Sequence, residues 1–235
     1  MRREQRLTGS ADDSYLFKFP LTQDGVNQGN LPESQYIGNL RNYGSTTITP
    51  SFNDNLTFDS YYGKLAHRHT GCTDKLVSLI DYNNFSLNNW LNENDFELNL
   101  DFYFYSYARY QQILEMLRCT NSQTAGMDVR WLSNNYGMVY VGNGNTIALQ
   151  QSGATYVTSQ WVNANITKTG TNLIAVFKKI DDGSVISTKS ATWNNILTVG
   201  DVKNITLFGF YLDNNSANSQ RYTIGATKNF YMKKL

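Results

Sequence analysis

Three carboxylates at alternate positions, Glu93, Asp95 and Glu97, make the sharpest chemical signal in the sequence. On an extended strand successive side chains point to opposite faces, so alternation places all three on one face. Retaining cleavage of a glycosidic bond needs two carboxyls about 5–5.5 Å apart, one as nucleophile and one as acid/base. Under that reading Glu97→Gln abolishes hydrolysis. The competing reading is a solvated strand entry, because Trp90-Leu91-Asn92-Glu93-Asn94 has the composition of a turn and would leave Glu93 off the strand.

A second set follows directly: Asn99, Asp101, Tyr103, Tyr105 and Tyr107 occupy the odd positions after Glu97. Aromatic rings stack on the apolar faces of sugars while amides and carboxylates take the hydroxyls, so this stripe, with Trp131 and Tyr140 beside it, is a candidate ligand platform. Its alternatives are cross-strand tyrosine packing and a face covered by a partner subunit. The third set is His67-Arg68-His69, whose i, i+2 spacing aims two imidazoles in one direction, with Cys72 and Asp74 as the nearest further ligands. Two histidines in a polar loop do not make a metal centre, and no metal is expected there.

These residues need a strand to position them, and Phe96 to Tyr107 is the cleanest alternation in the chain. Phe96, Leu98, Leu100, Phe102 and Phe104 form an apolar stripe for a core, and the odd stripe faces solvent or a ligand. Such a pattern belongs centrally in an antiparallel sheet with one wet face. Before it, residues 1–13 form a charged arm without periodicity, Tyr15 to Phe19 is a first strand stopped by Pro20, and Leu56 to Leu65 and Leu76 to Ile80 are short strands. Asn83 to Asn94 is turn-rich. After it, Gln112 to Arg118 fits helix or strand and is taken as strand. Met127 to Leu132, Gly137 to Val141, Thr146 to Leu149 and Tyr156 to Ile166 continue the series. Leu173 to Ile180 pairs with Ser184 to Lys189 across Asp182-Gly183, a hairpin signal. Ile205 to Leu212 and Tyr222 to Met232 close it. About a dozen short strands with no convincing helix indicate an all-β, antiparallel two-sheet sandwich or barrel.

Composition narrows the partners. The chain has 235 residues, 40% hydrophobic and 14% aromatic, enough for one domain with a substantial core. A net charge of +1 gives no whole-chain footprint for nucleic acid or an anionic membrane. No apolar run approaches the length of a membrane span. Polarity comes from Asn, Thr, Ser, Gln and Tyr rather than charge, a surface suited to neutral polar ligands such as sugars. Cys72 and Cys119 have neither the number nor the spacing of a disulfide framework, so free thiols are expected. The start, MRREQRLTGSADDS, has basic residues but no apolar segment behind them, and a protein made in a cytoplasm is expected.

The order of FELNLDFYF, a Trp-led strand at Trp161, the Asp-Gly hairpin and the closing Ile224-Gly225-Ala226-Thr227-Lys228-Asn229-Phe230-Tyr231-Met232 resembles the laminin-G-like, or concanavalin A-like, jelly-roll family. The likeness spans roughly residues 14–235, one jelly-roll domain after the arm, and FELNLDFYF stands where that family has its FTIEFWV-like strand. It implies two antiparallel sheets, one concave, with a closing strand that returns beside the first; the concave face and its rim loops commonly bind glycans. Glu93-Asn94-Asp95-Phe96-Glu97 is similar to the catalytic strand of the β-glucanase branch, except that Asn94 stands where that branch has an apolar residue. No cofactor is implied beyond calcium, which the family holds through Asp and Asn of rim loops; no position here is singled out.

A jelly roll of this kind usually works outside cells, yet the chain shows no export signal or disulfide framework. Release by lysis reconciles the two. The expectation is a bacteriophage virion protein, a tail-fibre, baseplate or capsid-decoration component, that contacts host-surface glycan or neighbouring virion subunits, with a homotrimer as the expected oligomer. The competing classes are a secreted glycoside hydrolase or lyase of the same fold and a bacterial surface adhesin, both extracellular.

Overall fold

The structure, a computed structural model, describes the backbone of residues 14–19, 56–59, 64–67, 87–104, 110–120, 123–132, 136–143, 147–150, 159–193, 205–207 and 225–235, and among these the side chains of 14–18, 87, 89–103, 127, 129, 159–193 and 229–235. The N-terminal arm, the strand expected at Leu76 to Ile80, Tyr105 and Tyr107 lie outside the described residues.

In chain order the elements are β1 (Tyr15–Phe19), β2 (Leu56–Asp59), β3 (Lys64–His67), α1 (Leu87–Glu93), β4 (Phe96–Phe104), β5 (Tyr110–Thr120), β6 (Gln123–Leu132), β7 (Tyr136–Asn143), β8 (Ile147–Gln150), β9 (Trp161–Thr169), β10 (Asn172–Lys179), β11 (Val185–Thr192), β12 (Ile205–Leu207) and β13 (Gly225–Lys234). They make two antiparallel sheets. The larger runs β11-β10-β9-β4-β13-β3-β2, with β1 also against β13, and the smaller runs β12-β5-β6-β7-β8. The fold is the expected all-β, antiparallel two-sheet β-sandwich. The segment at Gln112 to Arg118 is strand, within β5. No helix among the described residues is long and apolar enough to cross a membrane.

Strand β4 is central, between β9 and β13. Its even stripe enters the core as alternation requires: Phe96, Leu98, Leu100 and Phe102 are buried, joined by Val162, Ala164 and Ile166 of β9, Leu173, Ala175 and Phe177 of β10, and Met127 and Val129 of β6 in the second sheet. The closing strand does return beside the first. β13 pairs with β4 along one edge, and along the other with β3 at Gly225 to Thr227 and then β1 at Phe230 to Lys233. Phe17 and Phe230 seal that junction with ring centroids 4.8 Å apart.

The Asp182-Gly183 hairpin forms as expected. Lys179 N donates to Ser184 O at 2.9 Å and Gly183 N to Lys179 O at 3.1 Å. Gly183 takes φ +70°, open to glycine at no steric cost. Asp182 closes the turn by accepting from Ser184 N at 2.8 Å, and the Ser184 side-chain hydrogen bond, with this backbone bond second, holds its carboxyl below the ordinary value.

The expectation of a chain without helix is corrected at Leu87–Glu93. Leu87, Trp90 and Leu91 stand at i, i+3 and i+4, one apolar stripe of a helix, and Leu87 and Leu91 are buried. A seven-residue helix is marginal alone, so tertiary contacts hold it. Asn94 N and Nδ2 both donate to Trp90 O, at 3.0 and 2.9 Å. Lys168, the fourth inward position of β9, lies buried against the helix end, where its Nζ donates to Asn94 O at 2.8 Å and Asn92 O at 3.2 Å. A cation on the last carbonyls of a helix satisfies groups that have no partner within it. Burial pushes the Lys168 ammonium below its ordinary value, and the Asp95 charge opposes that shift.

Candidate functional site

The face of the large sheet opposite the core is built from three strands in register. Glu97, Asn99, Asp101 and Tyr103 of β4 oppose Thr167, Asn165, Asn163 and Trp161 of β9, while Lys233 and Tyr231 of β13 oppose Glu97 and Asn99. The sheet therefore gathers carboxylates, amides and aromatic rings on one surface. The expected wet face is closed at its centre, however: Asn99 is 8%, Asp101 6% and Tyr103 8% exposed. Tyr103 packs on Trp161 with centroids 5.4 Å apart, leaving neither ring open as a stacking platform.

The middle of the face is a hydrogen-bond network. Asn163 Nδ2 donates to Asp101 Oδ1 at 2.7 Å and to Asn99 Oδ1 at 2.8 Å. Asn229 Nδ2 donates to Asp101 Oδ2 at 2.6 Å, and Asn99 Nδ2 donates to Asn229 O at 3.0 Å. A buried carboxylate is costly unless its lone pairs are met, and here amide hydrogens meet both oxygens. The network is possible because β13 is irregular. Its pairing with β4 shifts between Lys228 and Tyr231, and Asn229 takes φ +51°, a conformation asparagine tolerates better than most residues.

At the β4 entry Tyr231 OH donates to Glu97 Oε1 at 2.6 Å, and Lys233 Nζ lies 3.1 Å from Oε2. Burial would raise the Glu97 carboxyl. The hydrogen bonds from Tyr231 and Lys233, the Lys233 charge and a bond from Asn165 outweigh it and hold the group below its ordinary value of 4.5. Burial, then the bond and charge of Glu97, push the Tyr231 phenol well above its usual range.

A folded-state value below the unfolded one makes Glu97 stabilising above the unfolded value, with that stability lost as pH falls through the folded value. As pH falls below the ordinary value of 4.5, wild-type stability is thus expected to drop more steeply than that of Glu97→Gln. Denaturation at stepped pH checks this, and parallel curves would refute it.

The alternation assumed for Glu93, Asp95 and Glu97 does not hold. Glu93 is exposed at the end of α1, whose stripe turns at 3.6 residues per turn, so it shares no strand face with Glu97. Asp95 lies between helix and strand, and its Oδ1 accepts from Gly170 N at 2.7 Å. Asp95 and Glu97 serve local structure in this arrangement. His67 falls on β3, while His69, Cys72 and Asp74 lie outside the described residues, as do the side chains of Trp131, Tyr140 and Cys119. Among the described residues no group of three His, Cys, Asp or Glu side chains could hold a metal.

The sequence reading missed Asn163, Asn165, Asn229 and Tyr231. Asn163 and Asn165 had a visible signal, since they alternate with Val162, Ala164 and Ile166. Asn229 had none beyond asparagine's tolerance of positive φ.

No family model matches the sequence, and no curated protein matches it. Solved structures match by shape. The binding domain of botulinum neurotoxin DC, in complex with SialylT, has a TM-score of 0.63 at 14% identity, over 96% of this chain and 50% of that one. A receptor binding domain gives 0.62 at 15% identity, over 96% and 49%. Trypanosoma rangeli sialidase, in complex with 2,3-difluorosialic acid as a covalent intermediate, gives 0.56 at 9% identity, over 94% and 31%. This chain thus spans about half the length of the first two. At these identities the likeness is one of fold: the chain is an antiparallel two-sheet β-sandwich, as these domains are.

Proposed function

We propose that the chain is a carbohydrate-binding, lectin-like module. The observation that carries this reading is the outer face of β4, β9 and β13. There half-buried Asn163, Asn165 and Thr167 stand beside exposed Asn229 and half-buried Tyr231, over the buried Asp101. Sugar hydroxyls both donate and accept, and carboxamides supply both functions without net charge, so such a face matches a neutral glycan better than an ionic partner. Likeness of shape to two binding domains supports the same direction. The setting we propose is a bacteriophage virion, as a tail-fibre, baseplate or capsid-decoration subunit, with host-surface glycan as the partner and a trimer as the oligomer. Two cysteines and an amide-rich surface suit a protein folded in a reducing cytoplasm and released with the particle.

A glycan array probed with the purified chain, in calcium and again in EDTA, tests the binding reading. Selective retention of a small set of glycans is expected, and no retention by folded protein would overturn it in favour of subunit contact. Mass spectrometry of purified particles tests the setting, which falls if the chain is absent from them.

A further inference from the structure

Within the network on the outer face, the buried carboxylate decides which way two asparagines point. Asp101 can only accept, so the carboxamide arm turned toward it must be the NH2 arm for both Asn163 and Asn229. Asn163 uses both of its Nδ2 hydrogens inward, on Asp101 and on Asn99. In each amide the oxygen lies on the other arm. Among the described residues neither Asn163 Oδ1 nor Asn229 Oδ1 accepts a hydrogen bond, although every other polar atom of the quartet's carboxylate and inward amides is engaged. Asn99 and Asp101 lie buried as the base, and Asn163, half-buried, and Asn229, exposed, form the rim.

We infer that Asn163 and Asn229 are the ligand-contacting pair of this face, presenting two side-chain carbonyl oxygens to hydroxyl donors of a neutral sugar, with Asp101 as the residue that positions them. The inference rests on the proposed function and narrows it to two atoms. An amide whose NH2 donates to a carboxylate has a more strongly accepting oxygen, since hydrogen bonds in a chain polarise one another. The ligand class follows from what the carboxylate can still do. Calcium takes six to eight oxygens and favours direct carboxylate ligation, but amide hydrogens already meet both Asp101 oxygens at 2.6 and 2.7 Å. A cation would have to break those bonds. A hydroxyl donor needs only the two outward oxygens.

Asn229→Gly separates binding from folding. Glycine adopts φ +51° more readily than asparagine and the backbone oxygen that Asn99 donates to remains, which offsets part of the loss of the Asn229 bond to Asp101, and a cooperative urea transition establishes that the variant is folded before its binding is read. Its affinity for the glycan that wild type retains best is expected to fall by about tenfold or more. The role of Asp101 is read by NMR. The side-chain amide signals of Asn163 and Asn229 are expected to move on titration with that glycan, and to be displaced in Asp101→Asn even without it.

Wild-type affinity in Asn229→Gly, with wild type binding normally, overturns the inference and leaves the binding module standing with its site elsewhere. Failure of folded wild type to bind any glycan overturns both. Binding abolished by EDTA overturns the inference in favour of a held cation.

Discussion

Phe96→Ala is expected to lower the unfolding free energy by about 3–5 kcal/mol, at the upper end for a single core truncation. Phe96 is fully buried at the head of β4, where the helix, the central strand and the end of β11 meet. Its ring lies 6.1 Å from Trp90 of α1 and 5.9 Å, edge-on, from Trp193 just after β11. Two large rings facing a vacated site cannot collapse into it without moving the helix or the strand that carries them. Trp193 is further pinned by its Nε1 donating to Asn92 Oδ1 at 3.1 Å. The lost apolar burial therefore adds to an unfilled cavity. Urea unfolding should show a lower midpoint at unchanged slope. A loss below about 1 kcal/mol would mean that the site repacks, and that the helix is not anchored through this residue.

Asp101→Ala is expected to cost about 3 kcal/mol or more, because hydrogen bonds to a charged group contribute about 1.5–3 kcal/mol each and two of them vanish together. The carboxylate is removed while the amides of Asn163 and Asn229 stay, so their Nδ2 groups lose the acceptor at the buried base of the network. Asp101→Asn keeps one accepting oxygen and should fall between alanine and wild type. The order wild type, Asn, Ala in unfolding midpoint is the result to look for. An alanine variant as stable as wild type would show that the bonds only offset the cost of burying the charge, as happens for many buried ionic groups. Since Asp101 also orients the rim amides, both variants should lose glycan binding, whereas Phe96→Ala should retain it wherever the protein remains folded.

What the sequence by itself determined is the local part of this description. Alternation in FELNLDFYF assigned each residue a face, because the two-residue period of a strand is a property of the backbone alone, and the same signal stood unused in WVNANITKT. The Asp182-Gly183 turn was legible for the same kind of reason, a backbone conformation that glycine adopts freely. The sandwich followed from a series of short strands with little between them.

What only the tertiary structure decided is which strand lies beside which, and therefore what each polar stripe meets. Asp101 finds Asn163 and Asn229 at sequence separations of 62 and 128 residues, through pairings that no local pattern specifies. Those neighbours turned a stripe expected to be open into a buried base with an amide rim. The helix at Leu87–Glu93 belongs to the same class. Its apolar spacing was present in an Asn-rich, turn-like segment, but its C-terminal carbonyls find their cation on β9, at Lys168. That helix also removes Glu93 from the strand and with it the carboxylate alternation. Local sequence sets the direction of a side chain, whereas long-range packing sets what waits there, and the chemistry of this face depends on both.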